Sequence, residues 1–261
     1  MTGNSLPSHI YIAGSPHLLC RTLSRRTVSK RCTPLKLAKL QSSSDLKTSL
    51  VGTTFLDDLY LQVYSDAFQD LQPDAQTRRL QILYTFLCTA ERTSTSTAVD
   101  LLFSSNKTNS TFSYTLIADK ILERLHAVLY TEHNKVLWYH KSFLDFLFDK
   151  SRSKEFWCNQ AEHHQRLTDS CFLVMKKLRF NTASIPSSFS LDCENSALPG
   201  EVEQNIPPVL SYSCRNWDHH LSGTACSDSG PLCGTLSDFL QLWVLFWIEA
   251  MNLLGSRGLC D

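Results

Sequence analysis

The sequence predicts a mainly α-helical protein with one small β-hairpin. Three observations lead there. From Leu56 onward apolar residues recur every three or four positions in successive windows, the spacing that puts them on one face of a helix. A single pair of short β-rich runs, 127–131 and 135–140, interrupts those windows. A hydrophobic content of 43% in 261 residues is enough for a substantial core, as one large or two modest domains.

Residues 1–52 carry no sustained period, and Pro7, Pro16 and Pro34 punctuate them. Arg21, Arg25, Arg26, Lys30, Arg31, Lys36 and Lys39 all precede the first carboxylate, Asp45. A basic stretch rich in Ser and Thr suits a largely disordered arm, with an organelle-targeting leader as the alternative. Leu56, Leu59, Tyr60, Val63 and Ala67 then predict an amphipathic helix, and Pro73–Asp74 ends it and starts another. Leu80, Leu83, Phe86 and Leu87 are the expected buried face of this second helix, and the 93–97 Thr/Ser cluster is its expected stop. A short helical turn at 98–103, a polar loop at 104–110 and a helix at 115–126 burying Ile117, Ile121 and Leu125 follow.

The two β-rich runs are separated by Glu132, His133 and Asn134, a polar turn that makes them a hairpin. Phe143, Phe146 and Leu147 form the apolar face of the helix after it. Helices, hairpin and returning helix together give a winged-helix unit at 53–150, with the hairpin as its wing. A helical domain at 155–257 is expected beyond it, from helices at 160–179, 207–221 and 235–255 joined by polar loops at 181–200 and 222–234. The apolar run 239–254 is interrupted by Glu249 and Asn252 and is shorter than the roughly 20 residues of a membrane span, so it predicts a buried or partner-covered helix.

Several of these stretches resemble one family, the NACHT-containing STAND signalling ATPases abundant in mushroom-forming fungi. Leu56-Asp57-Asp58-Leu59-Tyr60-Leu61-Gln62-Val63 is similar to the helix that follows their ATPase core. Leu125 to Tyr130, then Tyr139-His140-Lys141-Ser142-Phe143-Leu144-Asp145-Phe146-Leu147, resembles their winged-helix hairpin and its closing His-x-Ser-Phe-x-(Asp/Glu)-Phe-Leu motif. Pro208-Val209-Leu210, Tyr212 to Leu221 and Phe246-Trp247-Ile248-Glu249 resemble the helical region before their C-terminal repeats. The resemblance implies a module that couples nucleotide state to opening of a larger molecule. It also implies one cofactor-facing residue, His140, whose counterpart in intact relatives reaches the nucleotide phosphates.

The sequence departs from that family where catalysis would reside. No GxxxxGK[ST] stretch occurs, and the acidic magnesium-binding strand that should follow it has no counterpart. GxSxG, HExxH and a Cys-His signature are missing as well, so no catalytic residue and no cofactor is expected. The ten cysteines include no CxxC pair, and without a secretory signal they predict reduced, mostly buried thiols in a cytoplasmic protein. His163-His164 and His219-His220 are adjacent pairs pointing about 100° apart on a helix, which predicts solvated positions and no metal site. With 25 basic and 25 acidic residues no net field favours nucleic acid or a membrane, and in the 115–126 helix Asp119 and Glu123 cancel Lys120 and Arg124. A non-catalytic protein-interaction or regulatory fragment is the expected function, its partner a full-length NACHT relative or a second copy. The alternatives are a DNA-binding winged helix and a degenerate gene product.

Overall fold

In the computed structural model the described residues are 43–69, 71–105, 111–185, 195–225 and 231–256. They hold helices α1 (Ser43–Phe68), α2 (Pro73–Cys88), α3 (Thr95–Leu102) and α4 (Thr111–Arg124), then strands β1 (Leu129–Glu132) and β2 (Lys135–Trp138). After the hairpin come α5 (Lys141–Leu147), α6 (Lys150–Ser153), α7 (Gln160–Met175), α8 (Leu198–Asn205), α9 (Pro208–Ser222), α10 (Pro231–Leu242) and α11 (Val244–Leu253). The described residues are mainly helical, with one two-stranded antiparallel sheet among them. The residues read as a basic arm lie outside the described residues up to 42, and α1 begins inside that segment, at Ser43.

The local chemistry explains the boundaries. Pro73 opens α2 in its first turn, where the missing N–H costs nothing. Ser94 caps α3 by accepting the Thr97 N–H at 3.1 Å, so the Thr/Ser cluster starts a helix, while α2 has already stopped at Cys88. In the hairpin Glu132 pairs directly with Lys135, leaving a two-residue turn. His133 and Asn134 both take positive φ, 48° and 61°, as the twist of a two-residue hairpin loop requires. The Val136 N–H donates to the Thr93 carbonyl at 3.0 Å. That bridge from the α2–α3 connection to the hairpin completes the winged-helix order.

Two apolar cores form. The first gathers Tyr60, Tyr64 and Phe68 of α1, Ile82, Leu83 and Phe86 of α2, and Phe143, Phe146 and Leu147 of α5, with Ile121 and Leu125 at the end of α4. The second gathers Leu167, Cys171, Phe172 and Met175 of α7, Tyr212, Cys214 and Trp217 of α9, Phe239 of α10 and Met251 of α11. The first core draws mostly on residues before 150 and the second mostly on residues after 155, and both lie in a single compact unit, Ser42–Asp261. The join runs through α2 and α3, whose Cys88 and Leu101 are buried in the second core while their neighbours fill the first.

Three expectations need correction. Leu56 and Leu59 are not on the buried face of α1: they are exposed, while the expected Tyr60 and Ala67 do face inward, joined by Tyr64 and Phe68. Part of the expected 181–200 loop is the helix α8, which Pro199 opens in its first turn. The helix expected at 235–255 is two helices bent by 71° at Trp243. The bend lets Trp247 donate Nε1–H to the Cys214 carbonyl at 2.8 Å, and Glu249 accept the backbone N–H groups of Asn181 and Thr182 at 3.2 and 3.1 Å. No single helix among the described residues is long and apolar enough to cross a membrane. Cys88, Cys158, Cys171 and Cys214 are buried free thiols, as read from the sequence, and Cys233 is exposed.

Candidate functional site

His140 sits between β2 and α5, in extended backbone, as the N-cap of α5. Its Nδ1 accepts the Ser142 N–H at 3.1 Å and lies 2.7 Å from Ser142 Oγ, which is in turn 2.7 Å from the Tyr60 hydroxyl. An accepting Nδ1 carries no proton, so the ring's N–H is on Nε2. The chain Tyr60–Ser142–His140 therefore fixes one tautomer on an exposed ring, with a donor turned outward. The rest of the motif is structural, because Phe143, Phe146 and Leu147 are fully enclosed in the first core. Asp57, in the same stretch of α1 as Tyr60, holds Arg152 of α6 through Nε at 3.0 Å and Nη2 at 2.6 Å, which ties α1 to α6.

A second cluster is one the sequence did not reveal. His163, His164 and His220 are buried rather than solvated, at 4, 8 and 0% exposure. His163 Nε2 reaches Thr85 Oγ1 at 3.1 Å. Since Thr85 Oγ1 already donates to the Gln81 carbonyl, His163 is the donor in that contact. His164 Nδ1 lies 3.0 Å from His220 Nδ1, and His220 Nε2 lies 2.8 Å from the Tyr212 hydroxyl, which also accepts the Ala90 N–H at 3.0 Å. With His219, exposed at the rim, His164 and His220 place their ligating nitrogens within 4.8 Å of one another. The neighbours on α9 do diverge, as their spacing requires; α7 supplies the third ring. Burial lowers the pKa of all three enclosed imidazoles, to about 3 for His163 and about 2 for His220, with cationic or histidine neighbours adding to the effect. They are neutral at physiological pH.

The signal for this cluster was in the periodicity. His164 is three residues before Leu167 and seven before Cys171, and His220 is three after Trp217, so both fall on apolar stripes.

A third feature is an open cavity of about 680 Å³ lined by Arg79, Lys120, Glu123, Arg124 and His126 at the end of α4. Arg79 Nη1 is buried there without a hydrogen-bond partner, and burial together with Arg124 lowers the Arg79 pKa. The exposed His126 brings Nδ1 to 2.8 Å from the Glu123 carbonyl, one turn back along the chain.

No family model, no curated protein and no solved structure matches the chain.

Proposed function

We propose that the chain is a non-catalytic regulatory module of the NACHT signalling type, which docks through α1 onto the nucleotide-binding core of a full-length relative. The observation that carries this reading is an exposed apolar strip. Phe55, Leu56 and Leu59 are 69, 37 and 48% exposed on the helix whose sequence resembles the one after the ATPase core. Positions 55, 56 and 59 share one side of a helix, and the opposite side is already used by the first core. Such a strip gains by being covered, each buried leucine contributing about 1.5–3 kcal/mol.

His140 stands next to this strip in the hydrogen-bond network, since Ser142 ties it to Tyr60, the residue after Leu59. Its outward Nε2–H suits a phosphate oxygen presented by the docked core. The chain itself has no P-loop, so the nucleotide belongs to the partner and no catalytic step is assigned here.

The test is calorimetric titration of the chain into a purified NACHT core, with ADP and magnesium. Binding should weaken about tenfold or more in Leu59→Asp and lose its preference for ADP in His140→Ala. ADP given to the chain alone should release no heat. Failure to bind the core in any nucleotide state, or unchanged binding by Leu59→Asp, would reject the reading.

DNA binding is the second reading, favoured by the cations around the α4 cavity, where Arg79, Lys120 and Arg124 meet one carboxylate. The wing argues against it, because Glu132 faces Lys135 and the hairpin gains no net positive charge. Salt-sensitive binding of a duplex, lost in Lys120→Glu, would favour DNA over the protein partner.

A further inference from the structure

The histidine cluster between α7 and α9 has a chemistry that the docking reading does not use. His164 and His220 face each other nitrogen to nitrogen at 3.0 Å, a contact in which one Nδ1 must hold a proton and the other accept it. Two nitrogens on a tetrahedral metal with bonds of about 2.0–2.1 Å stand roughly 3.3 Å apart, so the pair is already near the separation of two ligands. We propose that His164, His219 and His220 bind a divalent transition metal of the zinc class, with the fourth position left to water.

Independent features of the fold support the assignment. Gly223 closes over the His164 ring so tightly that a Cβ there would lie 2.7 Å from Cγ and 2.8 Å from Cδ2, and any other residue would push the ring away from its partners. His220 Nε2 meets the Tyr212 hydroxyl at 2.8 Å, and that hydroxyl is itself held by the Ala90 N–H. Protein metal sites commonly orient a ligating imidazole in this way, through a partner on its second nitrogen. His219 is the adjustable ligand: its exposure lets the ring swing inward until its nitrogen closes the 4.8 Å span.

Loading needs no unusual proton chemistry. The Nδ1 proton shared by the pair leaves its nitrogen, and a proton is taken up at Nε2 of the same ring. Both rings stay neutral, and the metal occupies the space of the former N–H···N bond. Three imidazoles and an open position suit Zn²⁺, Co²⁺, Ni²⁺ or Cu²⁺, and offer nothing to Mg²⁺ or Ca²⁺, which require oxygen ligands.

The test is titration of the reduced, tag-free full chain with Co²⁺, followed by its visible d–d absorption, and with Zn²⁺, followed by the melting temperature. One Co²⁺ per chain should bind with the intensity of a low-coordinate site and without thiolate charge-transfer bands. His219→Ala removes the exposed ligand only, so the metal-free variant should melt like the wild type. It should bind about 10- to 100-fold more weakly or worse, and lose the Zn²⁺-induced rise in melting temperature. Equal binding by His219→Ala, thiolate charge-transfer bands, or no binding at all would each overturn the assignment.

Discussion

The two cores are built on different principles. The first is aromatic: Tyr60, Tyr64, Phe68, Phe143, Phe146 and Phe156 pack against one another, mostly tilted or edge-on, at centroid distances of 5.0–6.4 Å. Its Tyr64 hydroxyl is buried without a hydrogen-bond partner. The second core encloses His163, His164, Thr168, Ser213 and His220 among its apolar side chains, and gives each a hydrogen bond. Shape and contact area decide the first; proton positions decide a good part of the second.

The sharpest way to break the comparison is to remove contact area from the first core. Phe146→Ala, at a fully buried site between Tyr60 and Tyr64, should cost about 3–5 kcal/mol in urea unfolding, with no dependence on pH between 7 and 5. A loss below about 1 kcal/mol would mean that the aromatic contacts do not hold the first core together.

Acid should act on the second core. An imidazole in the unfolded chain titrates near about 6.5. Folding holds His163 at about 3 and His220 at about 2, so below pH 6.5 the unfolded state takes up protons that the folded state refuses. Stability is therefore fully present above that pH and declines as pH falls, by about 1.4 kcal/mol per pH unit for each histidine, or about 2 kcal/mol each by pH 5. Unfolding midpoints measured from pH 7.5 down to 5 should follow this slope, and His163→Gln should remove one histidine's share of it. A flat profile would show that these rings are not enclosed and neutral.

The smallest effect separates the cores by sign. Tyr64→Phe deletes an unpartnered hydroxyl and should be neutral or stabilising by up to about 1 kcal/mol. Tyr212→Phe leaves the Ala90 N–H and a His220 nitrogen without their partner, and should cost about 1–3 kcal/mol. Thermal unfolding of both variants would sharpen the contrast, and equal shifts would dissolve it.

The sequence made the first core more legible than the second, for a physical reason. The winged-helix elements announce themselves through apolar spacing and a polar turn, and Phe143, Phe146 and Leu147 lie where that spacing puts them. Elsewhere, neighbours distant in sequence decide which residues are buried. Leu56 and Leu59 fit an apolar stripe but are left outside it, because Phe143 and Phe146 of α5 and Phe156 meet α1 along Tyr60, Tyr64 and Phe68. Spacing within one helix says nothing of the histidines' partners, because the contact that matters joins residues 56 apart. No glycine or proline marks the bend at Trp243, since it arises from what Trp247 and Glu249 reach on other helices.

The sharing of α2 and α3 has a consequence for how this protein can be taken apart. Ile82, Phe86 and Val99 belong to one core and Cys88 and Leu101 to the other, while Tyr84 packs against both. A cut after the winged helix would strip the second core of two buried residues and leave them facing water on the piece that kept them. Neither half would keep all of its own core residues, because the same two helices serve both.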